Sequence, residues 1–161
     1  MEYRQAQEPG TKIVSDDRRL TMHLMGLWQG LRPGAASCAP AEDFFAALPD
    51  DLWTDCCVVE MAADGNWRMC RVGETIARRS GVPAAPARVA ELPPQSLLAT
   101  ATRELENALR TCAPILGEGE AWDEIGRRTL FRSILLPLGD EEGRVMQILV
   151  GARCHVCLED A

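Results

Sequence analysis

The chain is poor in the residues that usually announce chemistry. It has two histidines, His23 and His155, a single tyrosine, and aromatic residues at 5% of its 161 positions. No Ser/His/Asp order, paired-carboxylate signature or phosphate-cradling glycine loop is present. Gly117-Glu118-Gly119-Glu120 carries acidic flanks and lacks the setting of a phosphate site. A non-enzymatic role is the expectation. Basic side chains are also short: 17 against 24 acidic ones give a net charge of −7, which repels phosphate backbones and argues against a nucleic-acid partner. The pairs Arg18-Arg19, Arg78-Arg79 and Arg127-Arg128 are each too brief to reverse this and read as solvated surface. No stretch approaches the roughly 20 apolar residues that cross a bilayer, and Met1 to Lys12 lacks the apolar core of a secretory signal. The expected location is cytoplasmic, without membrane contact.

Cysteine, by contrast, is plentiful. Seven are present, at 38, 56, 57, 70, 112, 154 and 157. An odd number in a cytoplasmic setting predicts mostly reduced thiols rather than a paired framework. Apolar residues at 47% and charged residues at 25% fit one soluble globular domain with a sizeable core.

Residues 1–14 read as a flexible leader. From Ser15, a capping residue followed by Asp16 and Asp17, the residues Leu20, Leu24, Leu27, Trp28 and Leu31 recur at helical spacing. A shorter helix from Pro40 carries Phe44, Phe45 and Leu48 inward. Asp55 to Met61 and Trp67 to Val72 read as an antiparallel hairpin turning on Asp64-Gly65-Asn66, followed by a short helix, Glu74 to Ser80, ended by Gly81. Prolines 83, 86, 93 and 94 break up the next stretch. One long helix is expected over Gln95–Thr111, and three strands follow at about 115–122, 128–138 and 144–154. On the middle one, Leu130, Ile134, Leu136 and Leu138 face one way and Phe131 and Leu135 the other. Both faces of the sheet therefore need cover, and the Ser15–Leu31 helix is the candidate, within one chain or across a dimer. The layout is α+β, with helices on one face of a five-stranded antiparallel sheet and an additional N-terminal helix.

Leu27-Trp28-Gln29-Gly30-Leu31-Arg32, Leu48-Pro49-Asp50-Asp51-Leu52-Trp53, Arg71-Val72-Gly73, Phe131-Arg132-Ser133-Ile134-Leu135-Leu136-Pro137-Leu138 and Leu149-Val150-Gly151-Ala152 carry a resemblance to small stand-alone bacterial PAS-domain proteins. It covers about residues 18–154. It implies an N-terminal helical extension over 15–52, a PAS-like domain over 53–157 and a tail at 158–161. It also implies a sensory or adaptor role in signal transduction, exercised through a separate signalling-protein partner because the length leaves no room for an output domain.

The resemblance places a ligand cavity between the Gln95–Thr111 helix and the sheet. Its expected lining is Ile76, Leu98, Leu105, Phe131 and Leu149, and a filled core at the same place is the competing expectation. A small apolar ligand would suit such a lining. The residues Leu20, Leu24, Leu27, Trp28 and Leu31 are assigned to helix packing and a homodimer interface. No cofactor is predicted. The cysteines lack the sequence context of a flavin-linked thiol, and the Gln95–Thr111 helix has no histidine for haem, which leaves haem open only through an unusual ligand. Cys154-His155-Val156-Cys157 offers the alternative of a redox or zinc switch at Cys154 and Cys157, with Cys38 or Cys112 as further ligands. The remaining thiols, Cys56, Cys57 and Cys70, read as small buried hydrophobes.

Overall fold

The computed structural model describes residues 18–83 and 87–157. The expected leader, the Ser15 cap, Pro86 and the tail lie outside them. Helix α1 is described over 18–31. It is followed by β1 (Ala39–Pro40), α2 (Ala41–Ala47), α3 (Asp50–Trp53), β2 (Cys56–Met61), β3 (Trp67–Val72), α4 (Glu74–Ser80) and β4 (Ala87–Arg88). A short 3-10 turn then leads to α5 (Leu97–Ala101), α6 (Leu105–Thr111), β5 (Ile115–Trp122), β6 (Arg128–Gly139) and β7 (Val145–Val156).

The five expected strands form one antiparallel sheet in the order β5-β6-β7-β2-β3. Two short strands extend it. β4 adds to β3, and β1 pairs with the end of β6 in parallel through Ala39↔Leu138 and Pro40↔Gly139, so the sheet is mixed rather than wholly antiparallel. A strand of two residues has no alternation to read, and its existence depends on partners distant in sequence.

Helices occupy both faces. On the inner face α4, α5 and α6 pack Ile76, Leu97, Leu98, Leu105 and Ala108 against Cys57, Val59, Phe131, Leu135 and Val150. On the outer face Leu20, Leu24 and Trp28 of α1, with Phe44 of α2 and Leu52 of α3, cover Val58, Ile134, Leu136, Leu138 and Leu149. The cover lies within one chain. Two local features let α1 dock so closely. Gly151 of β7 has no side chain where Leu24 sits; a Cβ there would lie 2.5 Å from the Leu24 Cδ1. The indole of Trp28, 1% exposed, donates to the Pro137 carbonyl at 2.7 Å. That carbonyl falls in the gap on β6 between the residues paired to β5 and those paired to β1. A third element of the outer layer is Arg71 of β3, whose guanidinium sits 4.5 Å over the Trp53 ring and 5.3 Å over that of Phe45.

The long helix expected over Gln95–Thr111 is two helices. Ser96 caps α5 by accepting from the Ala99 N–H. The hydroxyl of Thr102 then donates back to the Leu98 carbonyl at 2.6 Å, and the residue leaves helical geometry (φ −99°, ψ 12°). Such back-bonding competes with the helical ladder and bends or ends it. The apolar stripe continues across the break, which is why spacing alone does not reveal it.

Candidate functional site

The break between α5 and α6 leaves a space above the sheet edge. Along β5 the positions that point to the inner face are Ile115, Gly117, Gly119 and Ala121, paired with Leu135, Ser133, Phe131 and Thr129. Two consecutive inward positions therefore carry no side chain, and the sheet is bare beneath the turn formed by Thr102 to Glu104. The result is a cleft of about 210 Å³, bounded by Thr100, Ala101, Arg103 and Glu104 on the helix side and by Gly117, Gly119, Phe131 and Ser133 on the sheet side. Phe131, Ile115 and Leu135 make its floor apolar. The Ser133 hydroxyl, beside which a Cβ on Gly117 would lie at 2.7 Å, is a donor and acceptor aimed at the bare strand. Arg103 and Glu104, both exposed, flank the mouth with opposite charges.

Four of the expected cavity residues, Ile76, Leu98, Leu105 and Phe131, do meet in the inner core. The first three are closed within it at 0–3% exposure, and of the expected five only Phe131 reaches the cleft. Leu149 is a correction: it pairs with Val58 and Leu136 and belongs to the outer core beneath α1. Ile148, Leu149 and Val150 are all apolar, so the run gives no sign of which parity faces inward, and the register settles it. The cleft residues missed by sequence reasoning are the glycines and Ser133. The only signal in the sequence is the small-residue spacing of Gly117 and Gly119.

A second concavity lies on the opposite face of the same strand. α1 and the outward side of β5 and β6 enclose a groove of about 700 Å³ between Arg18, Met22, Met25 and Gln29 on the helix and Leu116, Glu118 and Arg132 on the sheet. Met22 is 65% and Leu116 63% exposed, while Arg132 pairs with Glu118 at 3.3 Å. Of the residues assigned to helix packing, Leu20, Leu24 and Trp28 are buried and Leu27 and Leu31 half-buried, all against this chain's own outer core.

Cys154 and Cys157 are both buried, at the end of β7. The pairing of β7 with β6 continues to the Cys157 N–H, which donates to the Arg128 carbonyl, so the backbone is extended through both residues. Residues three apart in such a strand lie about 10 Å apart and on opposite faces, beyond the reach of a direct disulfide or a shared metal. Cys154 faces inward, with the Arg79 guanidinium 3.6 Å from its sulfur. No group of three or more His, Cys, Asp or Glu side chains among the described residues is placed to hold a metal ion, and the cleft lining has no histidine. Five cysteines are free thiols, in keeping with a mostly reduced set, while Cys38 and Cys112 form a disulfide with each other.

A five-stranded antiparallel sheet in the order β5-β6-β7-β2-β3, with helices inserted between β3 and β5 packed on one face, is the arrangement of the PAS fold. Among solved structures the chain is similar to VqmA bound to DPO, with a TM-score of 0.51 and 10% identity over 62% of this chain and 51% of that one. It is also similar to the PAS domain of a protein from Colwellia psychrerythraea (TM-score 0.45, 16% identity, 63% of this chain and 86% of that one). A further match is the PAS domain of BvgS from Bordetella pertussis (0.44, 18%, 74% and 89%). At these identities the likeness is one of fold. No protein-family model matches the chain, and no curated protein matches it by sequence. No helix among the described residues is long and apolar enough to cross a membrane.

Proposed function

We propose that this protein is a non-enzymatic sensory or adaptor module of signal transduction, which takes a small molecule into the cleft between the α5–α6 break and β5. The module passes its state to a signalling protein by contact. The observation that carries this reading is the bare inner surface at Gly117 and Gly119, which leaves a space at the sheet edge beneath the α5–α6 break. At about 210 Å³ the space is smaller than the 300–1,000 Å³ typical of drug-sized ligands. It suits a compact molecule with an apolar body for Phe131 and Leu135 and one polar edge for Ser133. That VqmA was solved with DPO bound supports a ligand role for this fold. The groove beside α1, with its exposed Met22 and Leu116, is the surface offered to a protein, and a homodimer is the proposed assembly. The Cys154/Cys157 switch has no comparable observation behind it.

Native mass spectrometry of protein purified gently from its own cells tests the ligand reading. The expected result is a small co-purifying mass that is lost in a Gly119→Val variant, whose side chain enters the cleft beside the Phe131 ring, 3.4 Å from the added Cβ. An empty chain that captures a signalling protein would favour the adaptor role alone. A bound mass retained unchanged in folded Gly119→Val would refute the cleft as its site.

A further inference from the structure

The cysteines divide into two populations. Cys56 and Cys57 are fully buried. Burial, with the neighbouring Asp55 charge second, pushes the Cys56 thiol far above its ordinary value, and burial followed by Cys70 pushes Cys57 up to about 12. Cys70, left over at the bulge where β3 passes Val58 and Val59 of β2, is pushed up to about 11 by burial and then by Glu60. Thiols held this firmly protonated are poor nucleophiles. Cys38 and Cys112 behave differently. They are joined across 74 positions with their Cα atoms 6.5 Å apart, within the range a disulfide spans.

The place of that bond gives it a consequence. Cys38 ends the segment that returns from α1 and stands directly before β1; it is 3% exposed. Cys112 is the half-buried partner. It caps the end of α6 in the left-handed conformation, φ +53°, three residues before β5 begins. The bond thus ties the outer layer to the inner one at a single sheet edge. The other tie of β1 there is its two-residue pairing with β6. Beyond Cys112 the chain runs through Ala113 and Pro114 into Ile115–Gly119, the residues that line the inner cleft, while Leu116 and Glu118 line the outer groove.

We propose that Cys38–Cys112 is a thiol–disulfide exchange site, opened by a dithiol reductant and closed again by a disulfide oxidant, that sets how firmly the start of β5 is held. In the opening step a thiolate of the reductant attacks the Cys112 sulfur, the more exposed of the two. The S–S bond breaks, its electron pair leaves on the Cys38 sulfur, and Cys38 takes up a proton. The second thiol of the reductant then attacks the mixed disulfide, releases Cys112 as a thiol and leaves the reductant as a cyclic disulfide. Two electrons and two protons pass from the reductant to the protein. Cys56, Cys57 and Cys70 take no part, and the inference stands independently of whether the cleft holds a ligand.

The test uses the full chain, dithiothreitol as the dithiol and glutathione disulfide as the oxidant. Thiols titrated in denaturant should number five after the oxidant, the seven cysteines less one pair, and all seven after dithiothreitol. Peptide-level hydrogen exchange on the folded protein should quicken about tenfold over 38–40 and 111–119 on reduction, while 145–156 is unchanged, as expected of local opening. A Cys38→Ser, Cys112→Ser double variant should show the fast exchange with and without dithiothreitol. Seven thiols after the oxidant would overturn the proposal. So would equal exchange in the two states, or acceleration that extends to 145–156, because it requires a bond that forms and a local effect. Both of the first two readouts come from the unsubstituted protein and survive a double variant that fails to fold.

Discussion

At the scale of single residues, Trp28 holds the outer layer in place. Its ring is enclosed in the outer core and its N–H satisfies a strand carbonyl that neither β5 nor β1 reaches. Trp28→Phe keeps most of the apolar area but leaves that carbonyl without its donor. It is expected to cost about 1–3 kcal/mol, the penalty of a buried unsatisfied polar group. Trp28→Ala adds a cavity and is expected to cost about 3–5 kcal/mol. Urea denaturation measures both, and a Phe variant as stable as the parent would show that the hydrogen bond contributes nothing. The sequence made Trp28 legible as a buried helical position through its spacing from Leu20, Leu24 and Leu31. The hydrogen bond was not legible, because its partner lies 109 residues away. The same distance problem hid the Cys38–Cys112 pair, whereas the proximity of Cys154 and Cys157 in sequence drew attention to two sulfurs that an extended backbone sets apart.

At the scale of elements, the two hairpins joining β5 to β6 and β6 to β7 turn by the same device. Asp123 Oδ1 accepts from the N–H groups of Ile125 and Arg127, and its Oδ2 accepts from the Arg127 Nε. Asp140 does the same with Glu142 and Arg144. Gly126 and Gly143 each supply the positive φ, +84°, that completes the reversal. These contacts lower both carboxyls. For Asp140 the Arg144 N–H bond leads and outweighs the opposing effect of burial; for Asp123 burial pushes up but is outweighed by the bonds from Arg127 and Ile125 and by the Arg127 charge. A carboxyl lowered on folding stabilises the fold fully above its unfolded value of about 3.9 and loses that contribution as pH falls through the lower folded value. Asp140→Asn should therefore be less stable than the parent at pH 7, and the two denaturation curves should converge as the pH approaches about 2. A constant offset across that range would show that the charge plays no part. Turn chemistry of this kind is local, so these strands and their connections were readable from the sequence. The α5–α6 break was not, since the stripe from Leu97 to Leu109 runs through it and only the Thr102 back-bond interrupts the ladder.

At the scale of the whole molecule, α1 covers the sheet within its own chain, and Met22 and Leu116 beside it stay exposed. Met22 and Leu116 face each other across the groove, with Arg18 and Arg132 near Glu118. A second copy related by a two-fold axis is the proposed occupant, covering Met22 and Leu116 of each chain in the contact. Light scattering is expected to give about twice the 17.7 kDa chain mass, and Leu116→Glu to return the monomer. A monomer at high concentration, or a dimer indifferent to Leu116→Glu, would place any assembly elsewhere. That both faces needed cover was evident in the sequence, from apolar residues at both parities of β6. Which residues face which way was settled only by register, as Leu149 shows.

The same stretch of β5 borders both concavities: Leu116, Gly117 and Glu118 line the cleft and the groove alike, and Gly119 lines the cleft. Among the described strands it pairs with β6 alone, and on its other side the Trp122 N–H at its far end donates to the Gln95 carbonyl. The two concavities thus share a partition a single backbone thick, paired along one side and held on the other at Trp122. An occupant in one chamber that displaced this partition would alter the width of the other directly, without a chain of intermediaries through the core.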